Sequence, residues 1–152
     1  MHKRDSFVDN VHIRKLHKED EHEISRIYAA ITRKAVDSDF KRVVEEHALQ
    51  HDEACFVAEH EDKIVGFMIS YILTAGFGIT KSAWIATLGV DPNFMGMGIG
   101  ASLAEEIFKY YKTQGIENVY TSVRWDSTDL LSFFKTQGFD RSNFINLRKI
   151  IE

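Results

Sequence analysis

The chain is short of the residues that mark special environments. It holds one cysteine and one proline among 152 residues. A lone thiol, Cys55, makes no internal disulfide, which suits a reducing compartment and excludes a disulfide-stapled scaffold. Within ACFVAE it reads as a packed, inert side chain of a buried strand. There is no Pro/Gly/Ser-rich linker, no internal repeat and no low-complexity tract. No apolar run approaches the length of about 18 residues that a membrane helix needs. The opening MHKRDSFVDN is too polar for a signal peptide. Nor does one sign of charge dominate: 19 basic residues against 23 acidic give a net charge of -4. That balance argues against a dedicated nucleic-acid or membrane binder, which would carry a basic patch. A single cytoplasmic domain over residues 1–152 is expected, long enough to bury roughly two-thirds of its unfolded surface.

What is present is hydrophobic periodicity. VHIRKL (11–16) alternates as a half-buried strand does, and Ile24, Ile27, Tyr28 and Ile31 mark the core face of a helix. Asp37 or Ser38 is placed to cap a second helix whose apolar face is Phe40, Val43, Val44 and Ala48. ACFVAEH and KIVGFMISYIL read as a hairpin turning at Glu61-Asp62. SAWIATLGV (82–90) is apolar enough for a central strand, and Gly89 within it signals a bulge or a close approach. Leu103, Ala104, Ile107, Phe108 and Tyr111 give a helix ending near Gly115. NVYTSVRW (118–125) alternates again; Asp126 or Ser127 then opens a helix with Leu130, Leu131 and Phe134, stopped by Gly138. Residues 144–151 read as a closing strand. The order β-α-α-β-β-β-α-β-α-β predicts an α/β (α+β) fold, a mixed and mostly antiparallel sheet flanked by helices.

Between the strand ending at Val90 and the next helix lies FMGMGIG (94–100). The first N–H groups of a helix lack intrahelical partners and, with the helix dipole, attract phosphate oxygens. Glycines there let the backbone come close. A P-loop would need Gly-Lys-Ser/Thr, but Ala101-Ser102 follows Gly100. Gly96, Gly98 and Ala101 fit a dinucleotide fingerprint, yet Asp126 is the only acid ending the next strand and comes late.

VDPNFMGMGIGASL resembles the acyl-CoA loop of the GNAT N-acetyltransferase superfamily, V-x-P-x-x-[QR]-G-x-G-[IL]-G/A, in Val90, Pro92, Gly96, Gly98, Ile99 and Gly100. FFKTQGF (133–139) is similar to that family's F-Y-x-x-x-G-F segment. The resemblance covers nearly the whole chain. It implies the GNAT acyl-CoA N-acyltransferase fold and transfer of an acetyl group from acetyl-CoA to a primary amine. Backbone amides of Leu88, Gly89 and Val90 would then meet the pantetheine arm. Those of Gly96, Met97, Gly98, Ile99, Gly100 and Ala101 would wrap the pyrophosphate.

The chain departs from the pattern at three places. Met95 replaces Gln or Arg, removing one polar contact; with Met97 it offers flexible packing over a ligand. Ser127 stands for a frequent Asn. Phe134 stands for a frequent Tyr that protonates the departing thiolate. General acid catalysis contributes ~10²–10⁴-fold, but a thiol of pKa ~8.5 leaves well as an anion, so the loss slows rather than abolishes transfer. Tyr120, on one strand face with Ser122 and Arg124, is the candidate substitute acid. No titratable side chain stands on 84–90. Asp126 is the candidate base, although capping with Asp129 competes for it. An α-amine is ~10% neutral at pH 7 and a lysine only ~0.04%, so an acceptor of low pKa would ease the need for a base. His47 and His51 have zinc-compatible spacing but no third ligand, and no metal is expected. The acceptor would be an amine-bearing small molecule or peptide, with its pocket bordered by residues 37–50 and 70–82. The acidic balance suits a cationic acceptor. A family tendency to pair subunits adds a homodimer to the expectations. The rival reading is a CoA-binding module without catalysis.

Overall fold

The computed structural model describes residues 10–32, 41–42, 54–74 and 80–152. Five strands form one sheet in the order β1-β2-β3-β4-β5: β1 His12–Lys15, β2 Cys55–His60, β3 Lys63–Leu73, β4 Ser82–Val90 and β5 Val119–Thr121. The first three pairings are antiparallel and β4–β5 is parallel. The described helices are α1 Glu21–Thr32, α2 Ile99–Thr113 and α3 Thr128–Thr136. With one parallel pair in five strands, this is the expected mixed sheet and not a doubly wound dinucleotide fold. The second helix expected from Asp37 or Ser38 onward, with Phe40, Val43, Val44 and Ala48, lies outside the described residues. So do His47 and His51.

Alternation along β2 and β3 builds two cores. Phe56, Ala58, Val65 and Met68 face α2, where Leu103, Ala104, Ile107 and Tyr111 cover them. Cys55, Val57, Phe67 and Ile69 face α1 and meet Ile24 and Ile27. Both faces of the central strands are therefore dry, which is why β2 and β3 read as near-continuous apolar runs. The hairpin turns on Glu61 and Asp62, with φ of 51° and 62°. Two consecutive positive φ values give the turn whose twist matches its strands. Gly115 and Gly138, at φ of 73° and 94°, end α2 and α3 as expected.

An ionic clamp holds β1 to the entry of α1. The Arg14 guanidinium donates twice to the Asp20 carboxylate at 2.8 Å and once from Nε to Glu59 at 3.0 Å. Asp20 also accepts the His17 backbone N–H at 2.7 Å. Burial pushes the Asp20 carboxyl upward, but the hydrogen bonds from Arg14 and His17 outweigh it and hold the group below its ordinary range. A lowered folded pKa contributes stability above the unfolded value near 4, lost as pH falls through the folded value. Asp20→Asn should therefore cost about 1–3 kcal/mol at pH 7. In urea melts the gap from wild type should shrink below pH ~4; a gap that stays constant down to pH ~2 would contradict this origin.

Two strand expectations need correction. The strand foreseen over 118–125 pairs only at Val119–Thr121. Beyond it β4 continues along β3 while the β5 chain turns away, with Ser127 N–H donating to Arg124 C=O. Residues 144–151 form no strand with the sheet, and their side chains lie exposed.

Candidate active site

The site is a fork. Ala83, Trp84 and Ile85 pair with Val119, Tyr120 and Thr121, and there the parallel ladder stops. The Thr121 hydroxyl donates to Ile85 C=O at 3.0 Å and closes the crotch. Past this point the edge of β4 toward β5 has no strand partner among the described residues, leaving backbone groups of residues 86–90 for a ligand. The register shows why the strands part. Ile69 pairs with Thr87 and Ser70 with Ile85, so Ala86 is an extra residue, a bulge that bends β4.

Gly89 is not that bulge. It is a close approach: a Cβ there would lie 2.7 Å from Ile31 Cδ1 and 2.8 Å from Phe67 Cε1. Leu88 and Val90 turn their side chains into the α2-side core. Asp91 then anchors the end of the strand. It is buried; its N–H donates to Val65 C=O at 2.9 Å and its carboxylate accepts Asn93 N–H at 3.0 Å. Arg26 on α1 contacts the same carboxylate at 3.4 Å. Sequence reasoning passed over Asp91, although Asp-Pro-Asn before a loop is a turn signal. Asp91→Ala should lower the unfolding free energy by about 1–3 kcal/mol and loosen the loop it launches. A thermal melt matching wild type would contradict the anchoring.

From Pro92–Phe94 the chain enters the glycine loop. Met95 is extended and 56% exposed. Gly96 and Gly98 take φ of 77° and 82°, values that L side chains disfavour. Gly98 is the N-cap of α2, and no side chain caps that helix. Its first-turn N–H groups and dipole therefore point at the loop without a side-chain cap. Gly100 serves differently: a Cβ there would meet Phe133 Cε2 at 3.1 Å, so this glycine seats α3. At Gly66 a Cβ would lie 2.9 Å from Ile99 Cγ2, so Gly66 seats the start of α2 on the sheet. The cradle is thus pinned from two sides, by β3 and by α3.

The candidate catalytic residues fall less neatly. Tyr120 stacks on Trp84 at 4.8 Å and 25°, and meets Phe144 edge-on at 5.9 Å. Its strand neighbours Val119 and Ala83 face α2, so Tyr120 and Trp84 stand on the α1 side. Phe134 is buried on the opposite side, edge-on to Phe133 and Phe139. A proton donor at Tyr120 would therefore act from the face opposite Phe134. Arg124 lies beyond the strand and holds Asp126 through two hydrogen bonds of 3.0 and 2.9 Å. Those bonds keep the Asp126 carboxyl below its usual range, which weakens it as a base. Asp126 spends its carboxylate on Arg124 rather than on a helix cap. Ser127 occupies the N-cap of α3 without a side-chain cap bond. Among the described residues no group of three His, Cys, Asp or Glu is placed to hold a metal.

The model of the acetyltransferase (GNAT) family matches residues 20–139, and the chain belongs to that family. It is 28% identical over 102 residues to an N-alpha-acetyltransferase of Sulfurisphaera tokodaii, covering 62% of this chain and 60% of that protein. To the mycothiol acetyltransferase of Amycolatopsis mediterranei it is 27% identical over 103 residues, 66% of this chain but 34% of the relative. The chain therefore spans less than two-thirds of the length of both. An aminoglycoside N-acetyltransferase solved with CoA has the same fold, at a TM-score of 0.80 and 15% identity over 92% of this chain and 94% of the other.

Proposed function

We propose that the protein binds acetyl-CoA in the fork and transfers its acetyl group directly to a primary amine. The observation that carries this is the alignment of two backbone surfaces, the unpaired edge of β4 after the Ala86 bulge and the uncapped N-terminus of α2 behind Gly96 and Gly98. Residues Leu88 to Val90 would hydrogen-bond the pantetheine amides, and Gly96 to Ala101 the pyrophosphate. Both surfaces act through main chain, so Met95 in place of a polar residue removes little. Ser127 at the N-cap of α3 and Phe134 on α3 would complete the cofactor-binding set.

In the reaction the neutral amine attacks the thioester carbonyl, the C–S bond breaks and sulfur leaves with its electron pair. The amine's proton passes to solvent. Asp126, held by Arg124, is a poor acceptor for it, so the enzyme favours amines already neutral near pH 7. Tyr120, held in orientation by Trp84, is the acid proposed to deliver a proton to the thiolate. The curated relatives act on an N-alpha-amine and in mycothiol acetylation, which supports amine-bearing small molecules and peptides as the acceptor class.

Buried Phe134 and the engaged Asp126 favour a second reading, a CoA-binding module that does not turn over. Free-thiol release with a panel of peptides, polyamines and aminoglycosides divides the two. Turnover with one class of amine is expected; CoA binding with no thiol release across the panel would establish the module.

A further inference from the structure

α1 holds the end of the cofactor edge at two points, one by shape and one by charge. Ile31 Cδ1 occupies the space that a Cβ at Gly89 would need. Two residues on, Asp91 leaves the strand for the glycine loop with its side chain 2% exposed. Its two carboxylate oxygens face different partners. Oδ1 accepts the Asn93 N–H at 3.0 Å and so shapes the turn over Pro92–Phe94. Oδ2 meets the Arg26 guanidinium, with Nη1 and Nη2 both at 3.4 Å. Among the described residues no other cation pairs with this carboxylate.

Two equal contacts, at the long end for N–H···O bonds, are held by charge more than by direction. Arg26 is 44% exposed, so the cationic half of the pair is wet and the anionic half dry. That asymmetry decides what the loss of Arg26 does. A buried carboxylate stripped of its cation is strongly disfavoured, and its nearest relief is to rotate toward water. Oδ1 travels with Oδ2, so Asn93 N–H then loses its acceptor and the turn opens. Beyond that turn stand Met95, Gly96 and Gly98, whose conformation sets where the first N–H groups of α2 are offered.

We propose that Arg26 is a positioning residue for the CoA cradle, acting on the glycine loop through Asp91. The inference rests on acetyl-CoA binding in the fork, and it adds a residue that belongs to neither backbone surface. Charge is the requirement rather than the shape of the guanidinium, so lysine should serve in its place.

Calorimetric titration with CoA tests this without an acceptor. Arg26→Gln should weaken CoA binding by ~10-fold, and Arg26→Lys should stay within ~3-fold of wild type. Joining Arg26→Gln to Asp91→Asn removes both charges, while the amide oxygen can still accept Asn93 N–H. That double variant should return to within ~3-fold of wild type, the non-additivity of a pair acting as one. The affinity of folded protein is read, which a merely stabilising ion pair would not move. Wild-type affinity in Arg26→Gln, or lysine and double variants as weak as Arg26→Gln, overturns the proposal. If Arg26→Gln does not fold, the double variant decides, and affinity ~10-fold below wild type there overturns it. A wild type that binds no CoA would instead overturn the reading of the fork, and this inference with it.

Discussion

Gly98→Val should reduce CoA affinity by ~100-fold or more, beyond reach of ordinary titration. The residue sits at φ 82°, ψ 11° as the N-cap of α2. A β-branched side chain is a severe outlier there, and the left-handed region costs ordinary L-residues roughly 1–2 kcal/mol. The loop would shift to relieve it, and the first-turn N–H groups would lose their aim at the pyrophosphate. Instability alone must be separated from lost binding, and Gly98→Asn does this. Asparagine tolerates the left-handed region, so the melting temperature should stay near wild type. Its side chain nevertheless intrudes where phosphate must approach, so affinity should still drop by ~10-fold or more. A Gly98→Asn protein with wild-type affinity would show that the loop is only a turn.

Tyr120→Phe should lower kcat by ~10²-fold with little change in KM, since general acids typically contribute 10²–10⁴-fold. The low end is expected because the leaving thiol has pKa ~8.5 and departs readily as the anion. The ring can keep its stack on Trp84, so packing is conserved and the phenol hydroxyl alone is removed. If Tyr120→Phe turns over at the wild-type rate, the thiolate leaves unassisted and Tyr120 is a structural tyrosine.

Much of this site was legible because backbone geometry leaves marks in sequence. Gly96 and Gly98 of FMGMGIG occupy the strand-to-helix loop as expected, both at positive φ, and Gly100 lies in the first turn of α2. β3 and β4 run over the residues that alternation and flanking turns delimit, and Glu61-Asp62 turns the hairpin. Other features leave no such mark. The bulge at Ala86 is a matter of register between two strands, and alanine has no preference that announces it. Gly89 looked like a bulge or a close approach, and only the packing of Ile31 and Phe67 distinguishes them. Gly100 also makes room for Phe133 on a helix 33 residues away, which spacing alone does not reveal. Asp126 read as a cap because the nearby Arg124, folded back over it, is just as compatible with capping chemistry in one dimension. The alternation in 144–151 was read as a closing strand of this sheet. In the structure that segment pairs with no strand of the sheet and its apolar side chains lie exposed; period two reports alternation, not the presence of a partner strand.

Amide chemical shifts on titration with CoA test the central claim most directly. The account predicts saturable shifts largest at Leu88–Val90 and Gly96–Ala101, on the edge of β4 and at the start of α2. Saturation with those amides unmoved, or no saturation at millimolar CoA, would contradict it.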